Sequence, residues 1–358
     1  MGEKLYLAML HKIGLGHKKL HLAFKSNINY KEFYEKLSFN NLKLLGFNSK
    51  QIEYILENKE KYKLSNLEKK LNYRDVKIIT INDKLYPDLL KQIHNVPFLF
   101  YLRGTIDNSP KLAVVGARKI TSYGKNSIEK IVGNVSNYFT IVSGGAAGCD
   151  TAGHISALNA GNKTISIIGT GIDIDYPTGN RKLYYDIVKS GGGIISIFPV
   201  GEVGNPYNFP VRNEIVAGLS VGVLIIEAQK KSGTLITSNL ALDLGKDLFA
   251  IPGDINKANS VGCNMLIRRG MAKLVTSSDD ILVEYNIGNS GISKNDKKIK
   301  FADKIEEEIY NILILESKTI DELIYEIGLD IATINFKLSM MEINNLIKKG
   351  LGGKYEVF

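Results

Sequence analysis

Residues 111–285 predict an α/β domain built on a doubly wound parallel sheet, with helical segments before and after it. Three observations carry this. From Lys111 onward, short β-branched runs alternate with glycine-rich turns and helix-length segments. Those runs are apolar nearly throughout, as strands covered on both faces must be. On either side, apolar residues recur at helical spacing instead.

The first segment, residues 1–75, reads as a domain of short helices, with Leu and Ile at helical spacing in Phe33–Leu45 and Ile52–Leu56. Ile13-Gly14-Leu15-Gly16 reads in two ways. It can be the hairpin of a helix-hairpin-helix, a module that grips DNA backbone, or an ordinary helix stop with a terminal glycine. Tyr86–Gly104 is expected to be a connector ending in a short strand. Strands are then expected at Leu112–Val115, Phe139–Val142, Thr164–Ile168, Ile194–Phe198, Val221–Ile226, Leu248–Ile251 and Lys273–Val275. Helices between them imply right-handed crossovers and a Rossmann-like sheet. Residues 286–300 are polar, Gly/Ser/Asn-rich and basic, and read as a linker. Helix patterns follow at Lys304–Leu315, Ile320–Ile327 and Ile331–Ile347, the last capped by Asp330. Lys348–Val357 is expected to form a small β-wing, completing a winged-helix layout. The expected organisation is thus 1–75, 76–285, a linker, and 301–358.

Composition bounds the function. Hydrophobic residues make up 44% and charged residues 23% of 358, which is a soluble globular balance. No apolar run of about 18 residues occurs, so no membrane insertion is expected. The first residues lack a signal-peptide layout, and Tyr6 stands where a myristoylation motif needs Ser or Thr. Two distant cysteines, Cys149 and Cys263, fit a reducing cytoplasm and argue against a disulfide framework or a zinc site. The formal charge of +9 is uneven: residues 1–104 hold 19 Lys+Arg against 10 Asp+Glu, whereas 105–285 are close to balance. A basic surface attracts phosphate backbones. Many of these lysines are interleaved with glutamates, so a merely solvated face accounts for them equally well.

In a doubly wound sheet, ligands sit outside the carboxyl ends of the strands. Each such end here is glycine-marked: Gly116-Ala117-Arg118-Lys119, Ser143-Gly144-Gly145-Ala146-Ala147-Gly148, Gly169-Thr170-Gly171, and Lys231-Ser232-Gly233-Thr234. Glycine lets a backbone approach phosphate, and a following helix presents unpaired N–H groups. Ser143, Ser232 and Thr234 add hydroxyl donors, and Arg118 can fork onto a phosphate. Neither G-x-G-x-x-G nor G-x-x-x-x-G-K-[ST] is present, so no dinucleotide cofactor and no P-loop are expected. Asp150 reads as the cap of the helix Thr151–Ala160, and His154 as a packed histidine. Glu227 is the lone acid–base candidate, with hydrogen bonding to loop amides as the alternative. Asn205–Ser220 combines Tyr207, Phe209 and Arg212, the aromatic–arginine pairing of single-strand binders. Equally, it can be a loop packed by its own aromatics around a structural Arg212.

Taken together and in order, these motifs resemble the DprA/Smf family of DNA-processing proteins. The resemblance rests on Val114–Arg118, Ile141–Ala146, Thr164–Asp173, Tyr176-Pro177 with Asn180, Phe209–Asn213, Ala217–Ser220, Ser232–Thr237, Ile251–Gly253 and Gly262–Ile267. It implies a helical, SAM-like N-terminal domain, an extended Rossmann fold and a winged helix. It further implies a cytoplasmic homodimer, joined through the Rossmann domain, that binds and shields incoming single-stranded DNA and loads RecA recombinase in natural transformation. No catalysis and no cofactor are implied. From the loop readings and the resemblance together, the residues expected to contact DNA are Gly116, Arg118, Lys119, Ser143, Gly144, Gly145, Gly169, Gly171, Asn180, Arg181, Phe209, Arg212, Asn213, Lys231, Ser232, Gly233 and Thr234. The chain departs from the family at Ala117, Ala147 and Cys149, where serine, arginine and isoleucine are common, and at positions near Thr178 and Tyr207, where lysines are. Arg181, Lys182, Lys230 and Lys231 stand as substitutes. A competing expectation is a nucleotide phosphoribohydrolase of the lysine-decarboxylase-like group, using Glu227 and Ser232-Gly233-Thr234. The leading glycines and the glutamate of that group's motif are missing, since Thr237 stands in the glutamate's place. A transcription factor is disfavoured because Lys337 is the single base of the third C-terminal helix, with Glu342 against it.

Overall fold

The structure is a computed structural model that describes residues 2–24, 29–287, 301–344, 346–350 and 353–357. It forms two compact units, residues 1–287 and 288–358.

Nine strands make one sheet in the first unit: β1 (Val76–Thr80), β2 (Leu99–Gly104), β3 (Lys111–Val115), β4 (Thr140–Ser143), β5 (Thr164–Ile167), β6 (Gly193–Ser196), β7 (Gly222–Ile225), β8 (Asp247–Ala250) and β9 (Lys273–Leu274). Their order is β1-β2-β6-β5-β4-β3-β7-β8-β9. From β6 to β9 every pairing is parallel, as the apolar runs predict. At the other edge β1 and β2 run antiparallel. The sheet is therefore mixed, and β1 is a strand the sequence reading does not anticipate. Its five residues follow a helical pattern directly, too short a run to show a period of its own. The register Leu112↔Ile141 and Leu112↔Gly222 places β3 between β4 and β7. Connections diverge there, so the crevice beyond β3 is the switch point of the sheet.

All five residues of β3 are buried, and the four apolar ones feed two cores alternately. Leu112 and Val114 pack with Ile128, Ile131 and Ala157 from the helices Ser122–Val135 and Cys149–Asn159. Ala113 and Val115 pack with Ile215 and Val216 from the helix Asn208–Gly218. Fully burying a Val, Ile or Leu side chain stabilises by about 1.5–3 kcal/mol, so these layers fix where the β3 and β4 loops emerge.

The N-terminal helices are not an isolated body. Leu7, Leu10, Leu20 and Ile52 share one apolar cluster with Phe98, Tyr101, Tyr184 and Ile194 of the sheet unit. His11 Nδ1 lies 3.1 Å from the Tyr101 hydroxyl, and His17 Nε2 lies 2.8 Å from the Ile197 carbonyl. Gly14–Gly16 is a turn between the helices Gly2–Ile13 and His17–Ala23, with Gly14 at φ +124° and Leu15 buried beneath it.

The second unit holds helices Lys304–Leu315, Ile320–Ile327 and Ile331–Ile343, then β10 (Ile347–Lys349) paired antiparallel with β11 (Tyr355–Val357). Asp330 caps the third helix, accepting from the Thr333 amide at 3.0 Å. That helix ends four residues earlier than its periodicity predicts, because buried Ile347 opens β10 opposite Val357. Lys337 is held at 2.5 Å by Asp303 and at 3.7 Å by Glu306. Within the expected linker, residues 288–300 lie outside the described residues.

Candidate nucleic-acid interface

The carboxyl ends of β3, β4 and β5 meet the start of the helix Asn208–Gly218. Pro210 sits in that helix's first turn, where its missing N–H leaves no hydrogen bond unmade. Together these ends form a depression of about 180 Å³ lined by Arg118, Gly144–Ala147, Gly169, Tyr176, Pro177, Phe209 and Arg212. The Phe209 ring is its floor. The Gly169 backbone lies so close that an added Cβ would stand 3.0 Å from that ring. Tyr176 meets Phe209 at 5.9 Å between centroids, and Arg118 Cζ lies 5.7 Å from the Phe209 centroid. Arg118 is exposed and has no ion pair among the described residues. Cation, ring and ring thus line one open depression, the combination that binds a phosphate and stacks a base.

Arg212 does something different. Its guanidinium is buried beneath the β4 loop. It donates to the carbonyls of Gly144 and, at 2.6 Å, Ile167, and its Nε donates to Asn213 Oδ1 at 3.1 Å. Asp150 lies at the same point: a Cβ on Gly144 would stand 2.7 Å from Arg212 Cζ and 2.8 Å from Asp150 Oδ2. Burial raises the Asp150 carboxyl above its ordinary value, and the Arg212 charge opposes that rise. Arg212 therefore braces the loop from below while also lining the depression.

Three further residues expected to touch DNA face inward. Ser143 is fully buried and donates to the Val114 carbonyl at 2.6 Å. The Gly171 amide donates to the Glu202 carbonyl at 2.8 Å, facing the β6 loop. Asn180 Nδ2 donates to the Gly145 carbonyl at 2.9 Å and to Thr151 Oγ1 at 2.8 Å, supporting the loop from behind. The glycines also serve packing. Gly148, at φ +86°, brings the β4 loop so close to the β3 loop that a Cβ would stand 2.3 Å from the Ala117 carbonyl. Gly116 leaves room for the Cys149 sulfur.

The helix after this loop is not an open anion site. It begins at Cys149, not Thr151, with Gly148 as its cap residue. Asp150 is therefore its second residue instead of its cap, and accepts from the Ala146 amide at 3.2 Å. The Cys149 and Thr151 amides are already paired with the Ala117 and Ala146 carbonyls. These local returns leave no mark in residue type or spacing.

Lys231, Ser232, Gly233 and Thr234 lie beyond β7, outside the lining of the depression. Glu227, nearly sealed, accepts from the Thr121 amide at 3.1 Å, the Thr121 hydroxyl at 2.5 Å and Asn259 Nδ2 at 3.3 Å. It brackets the β3 loop, which is the hydrogen-bonded alternative of the sequence reading. Lys119 is exposed beside Arg118. Arg181 is exposed and lies 3.8 Å from Asp175. Tyr176, Pro177 and Ala147 line the depression although the sequence reading did not choose them; the Tyr-Pro pair within the family motif was the available signal.

His154 is a packed histidine. Thr164 Oγ1 donates to the Ile141 carbonyl at 2.8 Å, so the 2.7 Å contact from His154 Nδ1 must be a donation to Thr164. Nε2 is then a bare acceptor, buried with no partner among the described residues. Burial, aided by the Arg212 charge, lowers its pKa to about 3. No group of three His, Cys, Asp or Glu residues capable of holding a metal occurs among the described residues. No described helix is long and apolar enough to cross a membrane.

Comparison with known proteins bears on this site. A family model described as DNA recombination-mediator protein A matches residues 77–286. The DNA processing protein DprA of Streptococcus pneumoniae is 44% identical over 208 residues, covering 58% of this chain and 73% of that protein. A crystal structure of DprA from the same species aligns with a TM-score of 0.67 at 36% identity, over 78% of this chain and 97% of that one. DNA processing protein A from Helicobacter pylori, solved to describe its single-stranded DNA binding mode, aligns with a TM-score of 0.53 at 28% identity. That match covers 59% of this chain and 96% of the other.

Proposed function

Because the chain belongs to the DNA recombination-mediator protein A family, we propose that it binds single-stranded DNA, without sequence preference, at the Arg118–Phe209 depression. One observation carries the reading: an exposed arginine with no carboxylate partner lies at the open side of a two-ring floor. Arg118 takes a phosphate, and Phe209 and Tyr176 stack bases. Gly144 and Gly145 bring the loop backbone within reach, with Arg212 and Asn180 holding it. The Helicobacter pylori structure supports the ligand class, since that protein binds single-stranded DNA.

In this reading the protein shields incoming DNA during transformation and hands it to RecA, working in the cytoplasm as a homodimer joined through the Rossmann-like domain. No catalytic step is needed. Glu227, the candidate acid–base group, is fully engaged in holding Thr121 and Asn259.

Titration of labelled oligo-dT and of a duplex of equal length, across salt, tests the proposal. The single strand should bind more tightly, and the logarithm of its binding constant should fall by about 0.7 per phosphate contacted for each tenfold rise in salt. Preference for the duplex would overturn it.

A further inference from the structure

The cations of the N-terminal helices converge beside the DNA depression. The helix Leu64–Tyr73 ends at a second, wider hollow of about 470 Å³, lined by Lys69, Lys70, Tyr73, Arg74 and Asp173. Asp173 belongs to the loop after β5, the same loop that supplies Gly169, Tyr176 and Pro177 to the first depression. Two carboxylates join helix and loop. Asp173 holds Lys70 at 3.1 Å. Asp175 holds Arg74 at 2.9 Å and Arg103 at 2.7 Å, with Arg181 at 3.8 Å. The surface therefore passes from Phe209 to Tyr176 and on to Arg181, Arg74, Tyr73 and Lys69, with Asp175 buried beneath it.

Four cations (Lys69, Lys70, Arg74 and Arg181) follow this path, with Asp173 and Asp175 as their carboxylate partners and Arg103 beneath them. A solvated lysine face does not require an aromatic among the cations. Yet Tyr73 is 87% exposed, and its ring has no aromatic, side-chain hydrogen-bond or cation partner among the described residues. Exposed aromatic rings set among cations are how sequence-tolerant single-strand binders take successive nucleotides.

We propose that a single strand leaving the Arg118 depression continues over Tyr176 and Arg181 onto the end of the helix Leu64–Tyr73. There Tyr73 stacks a base, and Lys69 and Lys70 neutralise phosphates, with phosphate replacing Asp173 as the partner of Lys70. The N-terminal helices are thus the second half of the DNA track. This rests on the reading of the Arg118 depression as a single-strand site.

The test uses the full chain carrying Lys69→Ala and Tyr73→Ala, both exposed positions, with retention of fold checked by thermal melting. Wild type, this double variant and Arg118→Ala are each titrated with labelled oligo-dT of about 6 and about 25 nucleotides, one within and one well beyond the roughly 4–16 nucleotides that a single module covers. The double variant should bind the short strand within twofold of wild type and the long strand about tenfold more weakly. Its salt slope for the long strand should be shallower by about 0.7. Arg118→Ala should weaken both lengths. If the double variant matches wild type on the long strand, or weakens both lengths alike, the extension is wrong while the Arg118 site stands. If wild type binds neither length, the underlying reading fails and the extension falls with it.

Discussion

Replacing Arg212 with methionine keeps the apolar stem and removes the buried guanidinium. The Gly144 and Ile167 carbonyls lose their donor, and the Asp150 carboxylate loses its counter-charge inside a sealed site. Leaving these two buried carbonyl acceptors without their donor costs about 1–3 kcal/mol each. Unfolding entropy is about 2.1 cal/mol/K per residue, so a unit spanning residues 1–287 changes by about 0.6 kcal/mol per degree near its midpoint. A loss of about 4 kcal/mol therefore lowers Tm by about 6–7 °C. The loss depends on pH with a definite sign. Burial sets the folded Asp150 pKa above its unfolded value, and removing Arg212 raises it further. Stability from such a group is complete below the unfolded pKa and is lost as pH rises through the folded one. The Tm deficit of the variant should thus be larger at pH 7.5 than at pH 5.5. Thermal melting at both pH values, beside single-strand titration, makes the measurement. An unchanged Tm with DNA binding abolished would refute the reasoning, because Arg212 would then be a ligand group and not a strut.

Arg118→Ala should behave in the opposite way. Tm should move by no more than about 1 °C, as for exposed substitutions generally, while single-strand affinity falls for every sequence alike. Equal affinity of variant and wild type at moderate salt would remove Arg118 from the site. His154→Gln should flatten the acid side of the stability profile. The folded pKa of about 3 lies below the unfolded value near 6.5, so stability falls as pH drops through 6.5, by about 2 kcal/mol between pH 7 and pH 5 for this group. Parallel profiles for variant and wild type, from urea unfolding at each pH, would contradict the assignment. Cys149 and Cys263 are buried, with thiol pKa values pushed up, that of Cys263 to about 12. Both should stay unreactive toward a thiol reagent in the folded protein at pH 8 and react on unfolding; rapid modification of the native protein would show that the loops around Gly116 open.

The parallel core was legible because strands buried on both faces leave unbroken apolar runs, as in Leu112-Ala113-Val114-Val115. The β1–β2 edge was harder. Val76–Thr80 is brief, and its antiparallel pairing with Leu99–Gly104 depends on contacts that no local pattern encodes. At the site, chemistry was legible but direction was not. Arg118, in the loop after β3, and Arg212, in the helix Asn208–Gly218, are the same residue type at one crevice, and each lies 5.7 Å from the Phe209 ring centroid. Only the packing decides that one opens to solvent and the other is enclosed by Gly144, Asp150 and Ile167. The same holds for Ser143 and Asn180, whose side chains can donate equally to phosphate or to a neighbouring carbonyl. Charge misled in a subtler way. The basic excess of residues 1–104 reads as a separate helical domain, yet those helices share a core with the sheet and bring Lys69 and Lys70 to the β5 loop that lines the site.

Where the strand lies can be measured directly. Photo-crosslinking of a bromodeoxyuridine-substituted single strand, followed by mass spectrometry, should place adducts on Phe209 and Tyr176. These adducts should disappear from the Arg118→Ala variant at salt concentrations where wild type still binds. Adducts confined to Lys230–Ile236 beyond β7, with Phe209 and Tyr176 unmodified, would contradict the account.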